Sequence, residues 1–329
     1  MLYILLFTLG IILIIKGGDW FIQASIWISE TTGMSKMLIG TTLVSLATAM
    51  PEFFVSTLAV ADNQSAFALG NTFGSVICNT GLVLSLSLIF LKNRNLNKDF
   101  FKKAFIMFLT LIILFFLVSD KTIQKSEGIP LAVLFIIFLL LNVYEMRGST
   151  SKTGVLHVNN VVCKRNTVLN IAMFIFGGGA ILLGADLLVD NGVIIAQMCG
   201  IPKGIIGVTI VAFGTSLPEL VTTLSAIIKK ETDIGIGNIL GANILNLTLI
   251  LSTCTFVSKG PITIMPDYFP SLGRILTRIT YIDIPLIALL FCVLLLPPLV
   301  SRGKVFRWQG IIMLLLYIAF IVFLIINLN

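Results

Sequence analysis

Histidine occurs once in this chain of 329 residues, at His157, and the five cysteines (Cys78, Cys163, Cys199, Cys254 and Cys292) show no paired spacing. An odd count closes no disulfide framework, and one histidine with scattered thiols offers no zinc site. Cys78, Cys254 and Cys292 fall in apolar helices, where cysteine serves as a small packing residue. Charged residues are only 11% of the chain, and no gap between its apolar segments would house a soluble domain. A phosphate-binding loop and a nucleotide domain are both missing, so nothing points to ATP. Without a histidine in the apolar segments, or a Ser/His/Asp or two-Asp arrangement, an intramembrane hydrolase is disfavoured. No enzyme and no cofactor are expected.

What the chain has is apolar sequence, 57% of it hydrophobic. A spanning helix needs about 20 mostly apolar residues. Ten segments qualify, near 2–27, 36–60, 67–91, 102–119, 128–145, 167–189, 203–228, 234–256, 282–300 and 308–328. The apolar start has no preceding basic residue and no small-residue cleavage site after it, so it reads as a span rather than a signal peptide. The expected fold is an all-α integral membrane protein. Its ten transmembrane helices form two inverted five-helix repeats, because an odd number of spans per half reverses the second half. The expected units are 1–145 (spans 1–5), a polar, basic linker at 146–166, and 167–329 (spans 6–10).

Loops after the odd-numbered spans hold 15 Lys and Arg residues, against six on the other side (Lys121, Lys125, Lys203, Lys259, Arg274 and Arg278). The basic side belongs in the cytoplasm, which places both termini outside a plasma (inner) membrane. The net charge of +7 is then explained by topology and anionic lipid, with no nucleic acid and no obligate protein partner implied. The proline-containing stretch 257–281 has no counterpart of similar composition in the first half and reads as an external surface loop.

Two distant stretches repeat one polar message at a constant offset of 167 residues. Residues 39–52 read IGTTLVSLATAMPE and 206–219 read IGVTIVAFGTSLPE; GNTFGSVICN at 70–79 answers GNILGANILN at 237–246. Pro51 and Pro218 must break or kink their helices, freeing carbonyls tolerated only beside protein or a polar cavity. Glu52 follows at once, with Thr48 four residues before it on the same face; Glu219 and Thr215 repeat the set. Ser75 and Asn79 are spaced i, i+4, and Asn246 matches Asn79. Carboxylates, hydroxyls, amides and free carbonyls are hard oxygen ligands suited to Ca²⁺ and alkali ions. Ionisable groups repeated in register within a membrane are costly and point to function rather than to a structural kink. Gly70/Gly74 and Gly237/Gly241 are small-xxx-small pairs that allow close helix packing. Asp19 and Asp186 also repeat; an interhelical tie is the plainer reading, with Lys16 available to neutralise Asp19.

These motif pairs resemble the two alpha-repeats of the sodium/calcium exchanger family, of prokaryotic type, and the resemblance spans essentially the whole chain. It implies an antiporter that exchanges Ca²⁺ for Na⁺ by alternating access. The central carboxylates would fall on Glu52 and Glu219, the site hydroxyls on Thr48, Thr215, Ser75 and Ser216, and the amide on Asn79. Four positions depart from the pattern: Ala47 for Gly, Ala49 and Ala242 for Ser, and Asn246 where Asp is frequent. Ca²⁺/H⁺ exchange is the alternative within the class. A passive cation channel fits inverted repeats and broken helices less well.

Overall fold

The computed structural model describes residues 2–90, 96, 98–150, 163–198, 212–264, 267–269, 274–301 and 303–327. Long helices dominate them: α1 (Leu2–Thr32), α2 (Lys36–Thr48), α3 (Met50–Ala61), α4 (Ser65–Phe90), α5 (Lys98–Leu117) and α6 (Gly128–Thr150) in the first half. The second half has α7 (Cys163–Met198), α8 (Ala212–Thr215), α9 (Leu217–Ile228), α10 (Thr232–Val257), α11 (Ile279–Val300) and α12 (Arg307–Asn327). Among the described residues, eight helices are long and apolar enough to cross a membrane, and α2 with α3, bent by 46°, makes a ninth. The segment expected at 203–228 is described only from residue 212. His157, Cys199, Lys203 and most of the 146–166 linker also lie outside the described residues.

Burial separates a centre from a rim. The most apolar stretch of α10 is 94% buried and that of α4 is 72% buried, whereas α1, α6, α7 and α12 are each 22% buried. Helices that are apolar all round and exposed on most sides suit a lipid surround. The two central helices carry the GN motifs and lie against the broken helices, α4 on α3 and α10 on α2 and α9. Gly237 and Gly241 are where α10 meets α2. A Cβ on Gly237 would sit 2.6 Å from the Met37 carbonyl and 3.2 Å from the Gly40 Cα, so the close approach expected of this pair is present. Gly70 and Gly74 instead line a cavity of about 280 Å³ with Cys78, Tyr317 and Arg278. At the rim, α1 and α7 cross in backbone contact, Gly10 on Gly184 and Gly17 on Gly177.

The chain is not wholly helical. Strand β1 (Thr122–Ile123) pairs antiparallel with β2 (Ile262–Thr263), and β3 (Asp267–Phe269) pairs with β4 (Arg274–Leu276). Part of the 257–281 stretch is thus a structured cap rather than a plain loop. Its β-branched residues alternate, and Ile123, Ile262 and Ile264 point into the core, which fixes the pairing register.

Candidate cation-binding site

Each half interrupts an apolar helix at an equivalent place. Ala49 (φ −81°, ψ 0°) divides α2 from α3, and Ser216 (φ −92°, ψ 4°) divides α8 from α9. Pro51 and Pro218 stand at the start of the following helices, where a missing N–H is no loss. Glu52 and Glu219 come next, in the first turns of α3 and α9. There the helix dipole favours negative charge.

Both glutamates are fully buried, and Glu52 lies within electrostatic reach of Glu219. None of their four carboxylate oxygens has a hydrogen-bond partner among the described residues. An unpaired buried carboxylate costs several kcal/mol, of the order given for desolvating an ion, and placing two together adds repulsion. A divalent cation between them removes both costs.

Other unpartnered polar atoms are buried in the central helices and at one helix break. They are Ser75 Oγ and both side-chain polar atoms of Asn79 on α4, and Asn243 Oδ1 and Asn246 Oδ1 on α10, with Ser216 Oγ at the α8–α9 break. Thr48 is buried beside Glu219; its hydroxyl donates to Asn238 Oδ1 at 3.1 Å, leaving oxygen lone pairs to accept. Thr215 is half-buried, one turn before Glu219. Asn79 and Asn246 each open a π-helical stretch, Asn79–Leu84 and Asn246–Ile250. Such wide turns re-aim side chains and recur at functional sites.

Two groups of residues were not singled out from sequence. Asn238 donates to Thr222 Oγ1 at 2.8 Å and to Thr223 Oγ1 at 3.3 Å while accepting from Thr48, so it joins the two halves across the site. Its repeat partner Asn71 donates to Ser56 Oγ at 3.0 Å, and Ser56 and Thr223 are themselves 167 apart. The signal was the GN step present in both motifs. Asn243 is the second case: it donates to Thr80 Oγ1 at 2.9 Å, tying α10 to α4. Cys78, read as packing, also accepts from the Tyr317 hydroxyl at 3.7 Å.

Asp19 and Asp186 are not in this centre. Asp19 is 53% exposed and pairs with Lys229 at 2.6 Å, not with Lys16, forming an interhelical tie to the end of α9. Asp186 is exposed. No group of three His, Cys, Asp or Glu side chains that would hold a metal occurs among the described residues. The donor set is carboxylate, hydroxyl and amide oxygen, which suits a hard cation bound transiently.

Matched against protein families, residues 2–144 and 169–326 fit the sodium/calcium exchanger protein. An uncharacterised membrane protein of Methanocaldococcus jannaschii is 32% identical over 315 residues, covering 95% of this chain and 94% of its own. The sodium/calcium exchanger MaX1 of Methanosarcina acetivorans is 28% identical over 357 residues, covering 97% of each. Among solved structures, the sodium-calcium exchanger NCX_Mj soaked with Na⁺ and Sr²⁺ superposes with a TM-score of 0.80. It shares 30% identity and covers 98% of both chains.

Proposed function

This chain belongs to the sodium/calcium exchanger family, and from that membership we propose that it is a secondary active antiporter moving Ca²⁺ against Na⁺ through one central site. The observation that carries the reading is the set of four unpartnered carboxylate oxygens on Glu52 and Glu219, fully buried where two broken helices meet. Two negative charges balance one Ca²⁺ or two Na⁺, so either load neutralises the site and the two compete for it. Six to eight oxygens satisfy Ca²⁺. The carboxylates supply up to four, and Thr48, Thr215, Ser75, Ser216, Asn79 and Asn246 are the further donors assigned here. The proline breaks leave the carbonyls of Ala47 and Gly214 without their usual donors, adding backbone oxygen.

The architecture assigned with this function is ten spans in two inverted repeats, 1–145 and 167–329, joined by the cytoplasmic 146–166 linker, with both termini outside a plasma (inner) membrane. Three things support it: the 167-residue offset, the matching breaks at Ala49 and Ser216, and the loop-charge bias of 15 against six. The test is uptake of Ca²⁺ by purified protein in liposomes. Na⁺-loaded vesicles are expected to accumulate Ca²⁺ when the outward Na⁺ gradient is imposed. Uptake driven only by an acid-loaded interior would assign H⁺ as the coupling ion and overturn the Na⁺ reading.

A further inference from the structure

Lys103 is the residue the exchange site does not explain. It lies near the start of the membrane-spanning helix α5 with a side chain only 1% exposed. Its ammonium pairs with Glu145 Oε2 of α6 at 2.9 Å and donates to Thr41 Oγ1 of α2 at 2.9 Å. Lys102, exposed and bound to Asp99, stands 3.9 Å from the other Glu145 oxygen. A lysine buried this completely is costly unless it is paired, as Lys103 is with Glu145.

Its place on α2 gives it a role. Thr41, Ser45 and Thr48 are buried on α2, and Glu52 is buried in the first turn of α3, beyond the 46° bend. A succession of buried oxygen-bearing side chains therefore lies in sequence between the Lys103 contact at Thr41 and Glu52. The second-half counterparts of Thr41 and Ser45 are Val208 and Ala212, and α11 contains no basic residue. The polar succession and its lysine exist in one half only. Along this stretch α2 is pressed onto α10, with Gly237 against Met37 and Gly40, and Gly241 against Thr41 and Ser45.

We propose that Lys103 is a positioning residue that latches this end of the broken helix shut, holding Thr41 to α5 and α6 so that this stretch stays closed on the Lys36 side. The latch rests on the exchange reading, because closing one face of a site matters only if the site must open to both. Releasing it favours the state open on the Lys36 side. Apparent affinity is the intrinsic value scaled by the population of the competent state, so the two faces respond differently.

The test compares wild type with Lys103→Met and with Lys103→Met/Glu145→Gln, the double variant leaving no uncompensated buried charge if the single one fails to fold. Two measurements are made. Backbone hydrogen exchange over 36–48 is expected to quicken at least tenfold in the variants, and this reading needs no transport. Half-saturation for Ca²⁺ is expected to tighten about fivefold or more from the Lys36 side and not to tighten from the other. Unchanged exchange over 36–48, or equal shifts on both faces, overturns the latch. Absence of Na⁺-driven Ca²⁺ uptake by wild type overturns the exchange reading instead, and hydrogen exchange still decides the latch.

Discussion

Glu52→Gln removes one of two formal charges facing a divalent ion while keeping the volume of the side chain. Attraction between unit charges 4 Å apart is about 4 kcal/mol at an effective dielectric near 20, and a divalent ion doubles it. Even after offsets from desolvation, Glu52→Gln and Glu219→Gln are each expected to weaken Ca²⁺ binding by at least about 100-fold. Transport should vanish while the protein remains folded. Isothermal titration and vesicle uptake check this, and near wild-type exchange by either variant would disprove the assignment. Asn238 is a different case, since it touches three hydroxyls, that of Thr48 among them, and acts on the site through them. Asn238→Ala leaves those buried groups short of partners, a cost of about 1–3 kcal/mol. We expect a lower melting temperature, together with weaker ion binding through loss of the Thr48 contact. An unchanged melting temperature would mean the network contributes nothing.

At the scale of elements, helix extents were legible because hydrophobic length and proline positions are local signals. Segments expected at 36–60 and 234–256 appear as 36–61 and 232–257, and the break falls next to Pro51. The π-helical stretches at Asn79 and Asn246 were not legible, since one extra residue in a turn leaves little trace in an apolar pattern. The strands were missed for another reason: two residues such as Thr122 and Ile123 carry no periodicity, and only their partner across the fold makes them a strand. Asp19 shows the same limit, its partner Lys229 being far away in sequence. Packing at the glycines gives the prediction that belongs here. Gly237→Ala drives a Cβ against backbone atoms of α2 and is expected to destabilise the protein by about 1–3 kcal/mol. At Gly178 a Cβ meets only the Phe21 ring, at 3.4 Å and 3.5 Å, so Gly178→Ala should stay within about 0.5 kcal/mol. Thermal unfolding in detergent ranks the two, and equal losses would contradict the packing.

Taken whole, the molecule departs from the symmetry of its own repeats at the site. Ser75 and Ser216 keep buried hydroxyls without partners. Their mirror positions are Ala242 and Ala49, also buried and offering no oxygen. The resemblance to the exchanger family implies that Ser75 with Ser216 forms one flank of the glutamate pair and Ala242 with Ala49 the other, and from that we propose that only the first dresses a monovalent ion with side-chain hydroxyls. Asn246 acts in the same direction, because an amide there keeps the repeated core at two formal charges where a third carboxylate would make three. Two charges are neutralised by one Ca²⁺ or two Na⁺, so exchange should be close to electroneutral. Vesicles carrying the protein, held at a series of membrane potentials, are expected to exchange Ca²⁺ with little current and weak voltage dependence. Restoring both hydroxyls with Ala49→Ser and Ala242→Ser should add a coupled Na⁺ and make the exchange electrogenic. A wild-type current corresponding to three or more Na⁺ per Ca²⁺ would show that backbone oxygens alone complete the second flank, and the alanines would then carry no meaning for coupling.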